Sequence, residues 1–148
     1  MIAIKGEVNG RKLNIVALSK FEIESLDRNH HYGKHIVISI TCPDDEPEAK
    51  IKTDPKAILR LRFWDCEEPR EDYTRVFEKK DAKSIRRFVE KHISNIDSIV
   101  VHCMAGYSRS VGTAAAISKV FLGDDKVFYQ SGRPNGRVYR KLFEEFTK

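Results

Sequence analysis

The chain has 148 residues, enough for a single domain (residues 1–148) with a sizeable core. Hydrophobic residues make up 41% and charged residues 33%, a balance that fits a globular protein and excludes low-complexity and fibrous classes; no apolar run is long enough to cross a membrane. The net charge of +5 suits an anionic ligand, while three cysteines, an odd number, offer no disulfide framework.

In chain order, Met1-Ile-Ala-Ile-Lys-Gly6 lacks a signal-peptide pattern, so a reduced, cytoplasmic setting is expected. Leu13–Leu18 reads as a first core strand. Ser19 with Glu22 three residues on forms a capping-box pattern, opening a short helix through about Asp27. Arg28–Gly33 is a polar loop. His35–Thr41 is a strand rich in β-branched residues, ended by Thr41-Cys-Pro43. Asp44–Glu48 is a charged turn. Ala57–Trp64 alternates over its second half, as a strand does, and runs into an acidic, proline-containing loop, Asp65–Asp72.

Asp81 is a candidate N-cap for a helix whose apolar stripe is Ile85, Phe88, Val89 and Ile93. Ser98–His102 is a strand. Val111–Leu122 is a helix stopped by Gly123, with Ala114-Ala-Ala116 available for close packing against a sheet. Asp124 opens a short helix through about Gln130, Ser131–Gly136 is a turn, and Asn135 can cap a last helix carrying Val138, Leu142, Phe143 and Phe146. Strands alternating with helices predict an α/β fold. We expect a central, mostly parallel sheet of four to five strands with helices on both faces.

The chemistry concentrates between Val100 and Val111. An apolar strand ends at Cys103, five residues follow, and Arg109 opens a helix. A strand–loop–helix junction of this kind turns successive backbone N–H groups into one hollow, and the helix N-terminus adds partial positive charge. Met104, Ala105, Gly106, Tyr107 and Ser108 would form the cradle for a tetrahedral anion, and the planar fork of Arg109 matches its oxygens. Cys103 would lie beneath the phosphorus as nucleophile, because the same positive field suits an anionic sulfur. Gly106 lets the loop turn through a left-handed conformation. Ser110 could donate a hydrogen bond to the sulfur as it leaves. His102 points to the opposite face of the strand from Cys103 and is expected to order the loop from behind. In an open α/β sheet this loop belongs at the carboxyl end of a central strand.

A departing alkoxide or phenoxide needs a proton. Asp65, at the end of a strand and the start of the acidic loop, is the favoured donor. Asp72, Glu67 and Glu68 compete from the same loop.

The stretch from His102 to Ser110 resembles the Cys-x5-Arg signature of the protein tyrosine phosphatase superfamily. Its His-Cys-x-x-Gly-x-Ser-Arg-Ser form is similar to the compact dual-specificity-like branch and to predicted tyrosine phosphatases of bacteria and phages. Phe63-Trp64-Asp65 looks like the Phe-x-Asp of those enzymes, 38 residues before Cys103 (103 − 65). Arg133-Pro134-Asn135 is similar to their Pro-Asn turn before a helix, which implies a supporting role for Asn135. The resemblance implies a phosphatase working through a phospho-cysteine on protein phosphotyrosine, with phosphoserine and phosphothreonine as further substrates. The alternatives are the same chemistry on RNA 5′-phosphates or phosphoinositides, and a phosphate-binding module without turnover. The basic charge keeps nucleic acid among the partner classes, but no basic tract interleaved with aromatics supports it, and most lysines are expected on solvated faces. The five histidines are dispersed and His30-His31 are adjacent rather than at ligand spacing, so neither a metal nor a cofactor is expected.

Overall fold

The computed structural model describes all residues, Met1–Lys148. Five strands form one sheet in the order β1-β2-β5-β3-β4, with β1 Ile2–Val8, β2 Arg11–Ser19, β3 His35–Thr41, β4 Ala57–Arg62 and β5 Ser98–Cys103. β1 pairs antiparallel with β2, and every other pairing is parallel. The sheet is therefore mostly parallel, as expected, with β5 at its centre. The helices are α1 Lys20–Glu24, α2 Lys79–His92, α3 Arg109–Leu122, α4 Lys126–Ser131 and α5 Gly136–Thr147.

β1 is an element the periodicity reading did not assign. It joins β2 through Asn9-Gly10, both residues at positive φ (51° and 80°), which is the pair of conformations a two-residue hairpin turn requires. The alternation in β1 is buried-exposed, since one face packs on the core and the other meets solvent.

The helices are distributed unevenly. Residues of α2, α3, α4 and α5 join Ile15, Ala17, Ile36, Ile38, Ile99 and Val101 in one large core on one face of the sheet. The other face carries a small cluster of Val16, Leu18, Val37 and Val100, covered by Ile23 of the single-turn α1 and by Ala49. α3 lies across the sheet centre, and its alanines 114–116 are fully buried, as their small size allows.

Capping is read correctly at α1, where Ser19 and Glu22 make reciprocal bonds, and at α5, where Asn135 accepts from the Val138 N–H. At α2 the start shifts. The helix begins at Lys79, Glu78 is its N-cap, and Asp81 sits at the third helical position with its carboxylate on the Glu78 N–H. Asp81 is held there by a two-pronged pair with Arg75 at 2.7 and 2.9 Å, a contact that only tertiary structure supplies.

Candidate active site

The parallel pairing Ser19↔Cys103 and Ser39↔His102 brings the ends of β2, β3 and β5 together at one edge of the sheet. The loop Met104–Ser108 starts at that edge and ends at the first turn of α3. Cys103 is buried, 2% exposed. Two groups converge on its sulfur: the Gly106 N–H at 3.3 Å and the Ser110 hydroxyl at 3.2 Å. Both are polar donors able to stabilise negative charge on sulfur. The N–H groups of Met104, Ala105, Tyr107 and Ser108 donate to no other residue.

Gly106 has φ 69°, and a Cβ there would stand 2.4 Å from the Ser19 amide nitrogen and 2.6 Å from the Leu18 carbonyl carbon. Only glycine accepts both the conformation and the backbone approach. The same turn is fastened by the Lys20 N–H donating to the Met104 carbonyl at 3.1 Å.

Arg109 is 5% exposed. Its Nη1 donates to the Phe63 carbonyl at 2.9 Å and to Cys42 Sγ at 3.2 Å, whereas Nε is buried and has no protein partner. One prong thus braces the guanidinium against the ends of β3 and β4. The Nε edge has no protein partner, and a guanidinium edge has the geometry to donate to two oxygens of one oxyanion.

His102 points away from Cys103, as strand alternation requires. Its Nδ1 donates to the Cys103 carbonyl at 3.1 Å, and its Nε2 accepts from the Ser39 hydroxyl at 2.6 Å. Arg60 Nη1 in turn lies 3.3 Å from the Ser39 oxygen. Burial pushes the imidazole pKa below its ordinary value, and the neighbouring cations Arg60 and Lys20 act in the same direction. A neutral ring fits the two roles, one donor and one acceptor nitrogen.

Asp65 follows β4 by three residues and reaches the same loop. Its Oδ1 accepts from the Ser108 hydroxyl and from Asn135 Nδ2, each at 2.8 Å, and its Oδ2 makes no hydrogen bond. Ser108, the N-cap of α3, therefore uses its hydroxyl on Asp65 rather than on its own helix. Asn135 adds a third tie, because its N–H donates to the Ser108 carbonyl at 3.0 Å. The three competing acids stand elsewhere. Glu67 accepts from the Gly136 N–H at 2.7 Å, Glu68 lies 3.8 Å from Arg137, and Asp72 is exposed without an ion-pair partner.

Several supporting groups could not be named from sequence. Cys42 and the Phe63 carbonyl hold Arg109, and Ser39 with Arg60 stands behind His102. Arg137 ties the acidic loop to α5, donating to the carbonyls of Phe77 and Glu67 and pairing with Glu78 at 2.8 Å. Each depends on strand order, which local pattern does not contain. Cys66, next to Asp65, is half-buried and free.

No protein-family model and no curated protein matches the chain. Solved structures do. Human DUSP28 superposes with a TM-score of 0.61 at 14% identity, covering 89% of this chain and 90% of that one. The human tyrosine phosphatase-like serine/threonine/tyrosine-interacting protein gives 0.55 at 18% identity, covering 76% of each chain. DUSP15 gives 0.51 at 23% identity, covering 77% of this chain and 70% of that one. At these identities the likeness speaks for architecture alone, and the chain has the α/β fold of the dual-specificity phosphatases.

Proposed function

We propose that this protein is a metal-independent, cysteine-dependent phosphatase acting on protein phosphotyrosine, with phosphoserine and phosphothreonine as further substrates. The observation that carries the reading is the convergence at one loop. Cys103 Sγ lies under the Gly106 N–H and the Ser110 hydroxyl, and Asp65 is hydrogen-bonded to Ser108 of that loop.

In the first step the Cys103 thiolate attacks phosphorus, an S–P bond forms and the P–O bond to the leaving group breaks. The departing oxygen takes a proton from Asp65 through Oδ2, the oxygen left free by Ser108 and Asn135. Arg109 and the loop N–H groups hold the three non-bridging oxygens throughout. In the second step water attacks phosphorus and gives a proton to Asp65, the S–P bond breaks, and the Ser110 hydroxyl stabilises the returning thiolate. The shared fold of the phosphatases above supports this assignment.

Cys103→Ser tests it. The serine hydroxyl fills the same place but is not ionised at neutral pH, so turnover should vanish while vanadate still binds. The assay uses phosphotyrosine, phosphothreonine, phosphoinositide and RNA 5′-phosphate substrates in the presence of a chelator. Wild-type-like turnover by the variant would remove the phospho-cysteine from the mechanism. A wild-type protein that binds vanadate yet turns over no substrate would make the loop a phosphate-binding module.

A further inference from the structure

The lysines that look scattered in sequence gather on one flank of the fold. Along α2, Lys80, Lys83, Arg87 and Lys91 recur at three- or four-residue steps and so share a face. None of these four forms an ion pair, although six basic residues and the N-terminal amine do so elsewhere in the chain. The nearby acids are engaged. Asp81 holds Arg75, Glu90 and Glu145 flank Arg86, and Asp97 accepts from the Lys34 N–H.

Two hollows bracket this stripe. One, about 380 Å³, lies on the first half of α2 between Lys79, Lys80, Lys83, Ser84 and Arg87. The other, about 470 Å³, lies past the end of α2, between Arg11, Lys34, Lys56, His92, Ser94 and Asn95. Neither is lined by an acidic or an apolar residue. Lys91, next to His92 in the chain, and Lys56 both lower the pKa of His92, behind burial as the main cause. At 1.5 Å per residue, the middle of the first hollow is about 13 Å from His92. The second hollow is at the edge of the sheet where β2, β3 and β4 begin, opposite the end that carries Cys103.

We propose that this band is a docking surface for the phosphate backbone of a single-stranded nucleic acid, separate from the catalytic loop and independent of the phosphatase reading. Within each hollow the lining charge is of one sign, as a polyanion requires, and a carboxylate near the stripe, Glu145 beside Lys83, is itself paired with Arg86 and Lys148. The band runs from the first half of α2 to the end of the sheet where β2, β3 and β4 begin, a span that a flexible strand can follow. The large apolar side chains that are exposed, among them Phe21, Met104 and Tyr107, line neither hollow, so no anchor for a lipid surface is present there. With contacts to the backbone alone and none to the bases, binding should tolerate any sequence.

The test is fluorescence anisotropy with a short, 3′-labelled single-stranded oligouridylate and an oligoadenylate, both lacking a terminal phosphate so that the catalytic loop is not their target. With about five phosphate contacts the logarithmic salt slope should be about −3.5, a loss of about 10²-fold between roughly 50 and 200 mM salt. The variant Lys80→Gln/Lys83→Gln/Arg87→Gln/Lys91→Gln should bring the slope to about −1. It should keep wild-type turnover and melting midpoint. Lys→Arg at positions 80, 83 and 91 should restore the slope. Equal affinity for the two sequences fits a backbone contact, whereas a strong preference for one would overturn it. So would an unchanged slope in the Gln variant, or binding only to phosphatidylserine vesicles offered in parallel.

Discussion

Replacing Asp65 by asparagine isolates the proposed proton from every other property of the side chain. An amide keeps an oxygen at the Oδ1 position, so the donations from Ser108 and Asn135, both 2.8 Å, persist with a neutral acceptor. Weakening each from charge-assisted to neutral costs about 1 kcal/mol or less, so the melting midpoint should move only a few degrees. Catalysis should suffer far more. Loss of a general acid reduces the rate by about 10²–10⁴-fold, which is roughly 2.7–5.4 kcal/mol of barrier. That loss applies to a leaving group such as tyrosine, whose phenol has a reference pKa of about 10. A strongly activated aryl phosphate releases a stable anion, and there the loss should be much smaller. The measurement is kcat/KM for a phosphotyrosine peptide and for the activated ester, across pH, with the basic limb of the profile expected to disappear in the variant. Asp72→Asn, Glu67→Gln and Glu68→Gln serve as controls, since none of these side chains touches the loop that holds Cys103. Equal losses on the two substrates would mean that Asp65 shapes the loop and donates no proton. A larger, leaving-group-dependent loss at Asp72 would move the acid there.

Arg109→Lys should cost nearly as much turnover as Arg109→Ala, because a lysine cannot hold Phe63 O and two phosphate oxygens at once; near-wild-type kcat/KM in the lysine variant would show that a point charge suffices. Gly106→Ala should lower kcat sharply and destabilise the fold by about 1–3 kcal/mol, read from activity and urea unfolding, since its Cβ meets backbone rather than a movable side chain. Burial depresses the pKa of both His102 and His35, so the unfolded chain binds protons that the folded one refuses. The stability linked to them is complete above the unfolded value of about 6.5 and is lost as pH falls below it. Urea midpoints at pH 7.5 and 5.5 should therefore differ less in His102→Gln than in the wild type, and an unchanged difference would show that His102 does not titrate in this way.

Much of the candidate site was legible as an arrangement because it is local. Cys103, Gly106, Arg109 and Ser110 lie within eight consecutive residues, and the strand before them and the helix after them follow from composition. The Ser19–Glu22 box and the Asn135 cap are likewise contained in a few residues. Strand β1 carried a readable signal, alternation before Asn9-Gly10, that a search for long β-branched runs passes over. What stayed hidden is set by sheet order. Nothing near Cys42 announces Arg109, 67 residues away, and nothing near Asp65 announces Asn135, 70 residues away, until β3, β4 and β5 lie side by side. The start of α2 was misplaced for a local reason: Asp81 stands at the third helical position rather than at the N-cap, reaching back to the Glu78 N–H and to Arg75.

Asn135 works at both ends of its amide. The carbonyl oxygen closes the first turn of α5, and the nitrogen holds Asp65. The integrity of the last helix and the placement of the proposed proton donor are therefore one equilibrium. Whatever loosens the first turn of α5 detunes Asp65 while Cys103, Ser110 and Gly106, which touch none of that helix through hydrogen bonds, keep their arrangement. On the proposed mechanism such a change would spare esters with good leaving groups and slow those with poor ones. The C-terminal helix would then act as a selectivity dial on the leaving group rather than as an on–off switch for the nucleophile.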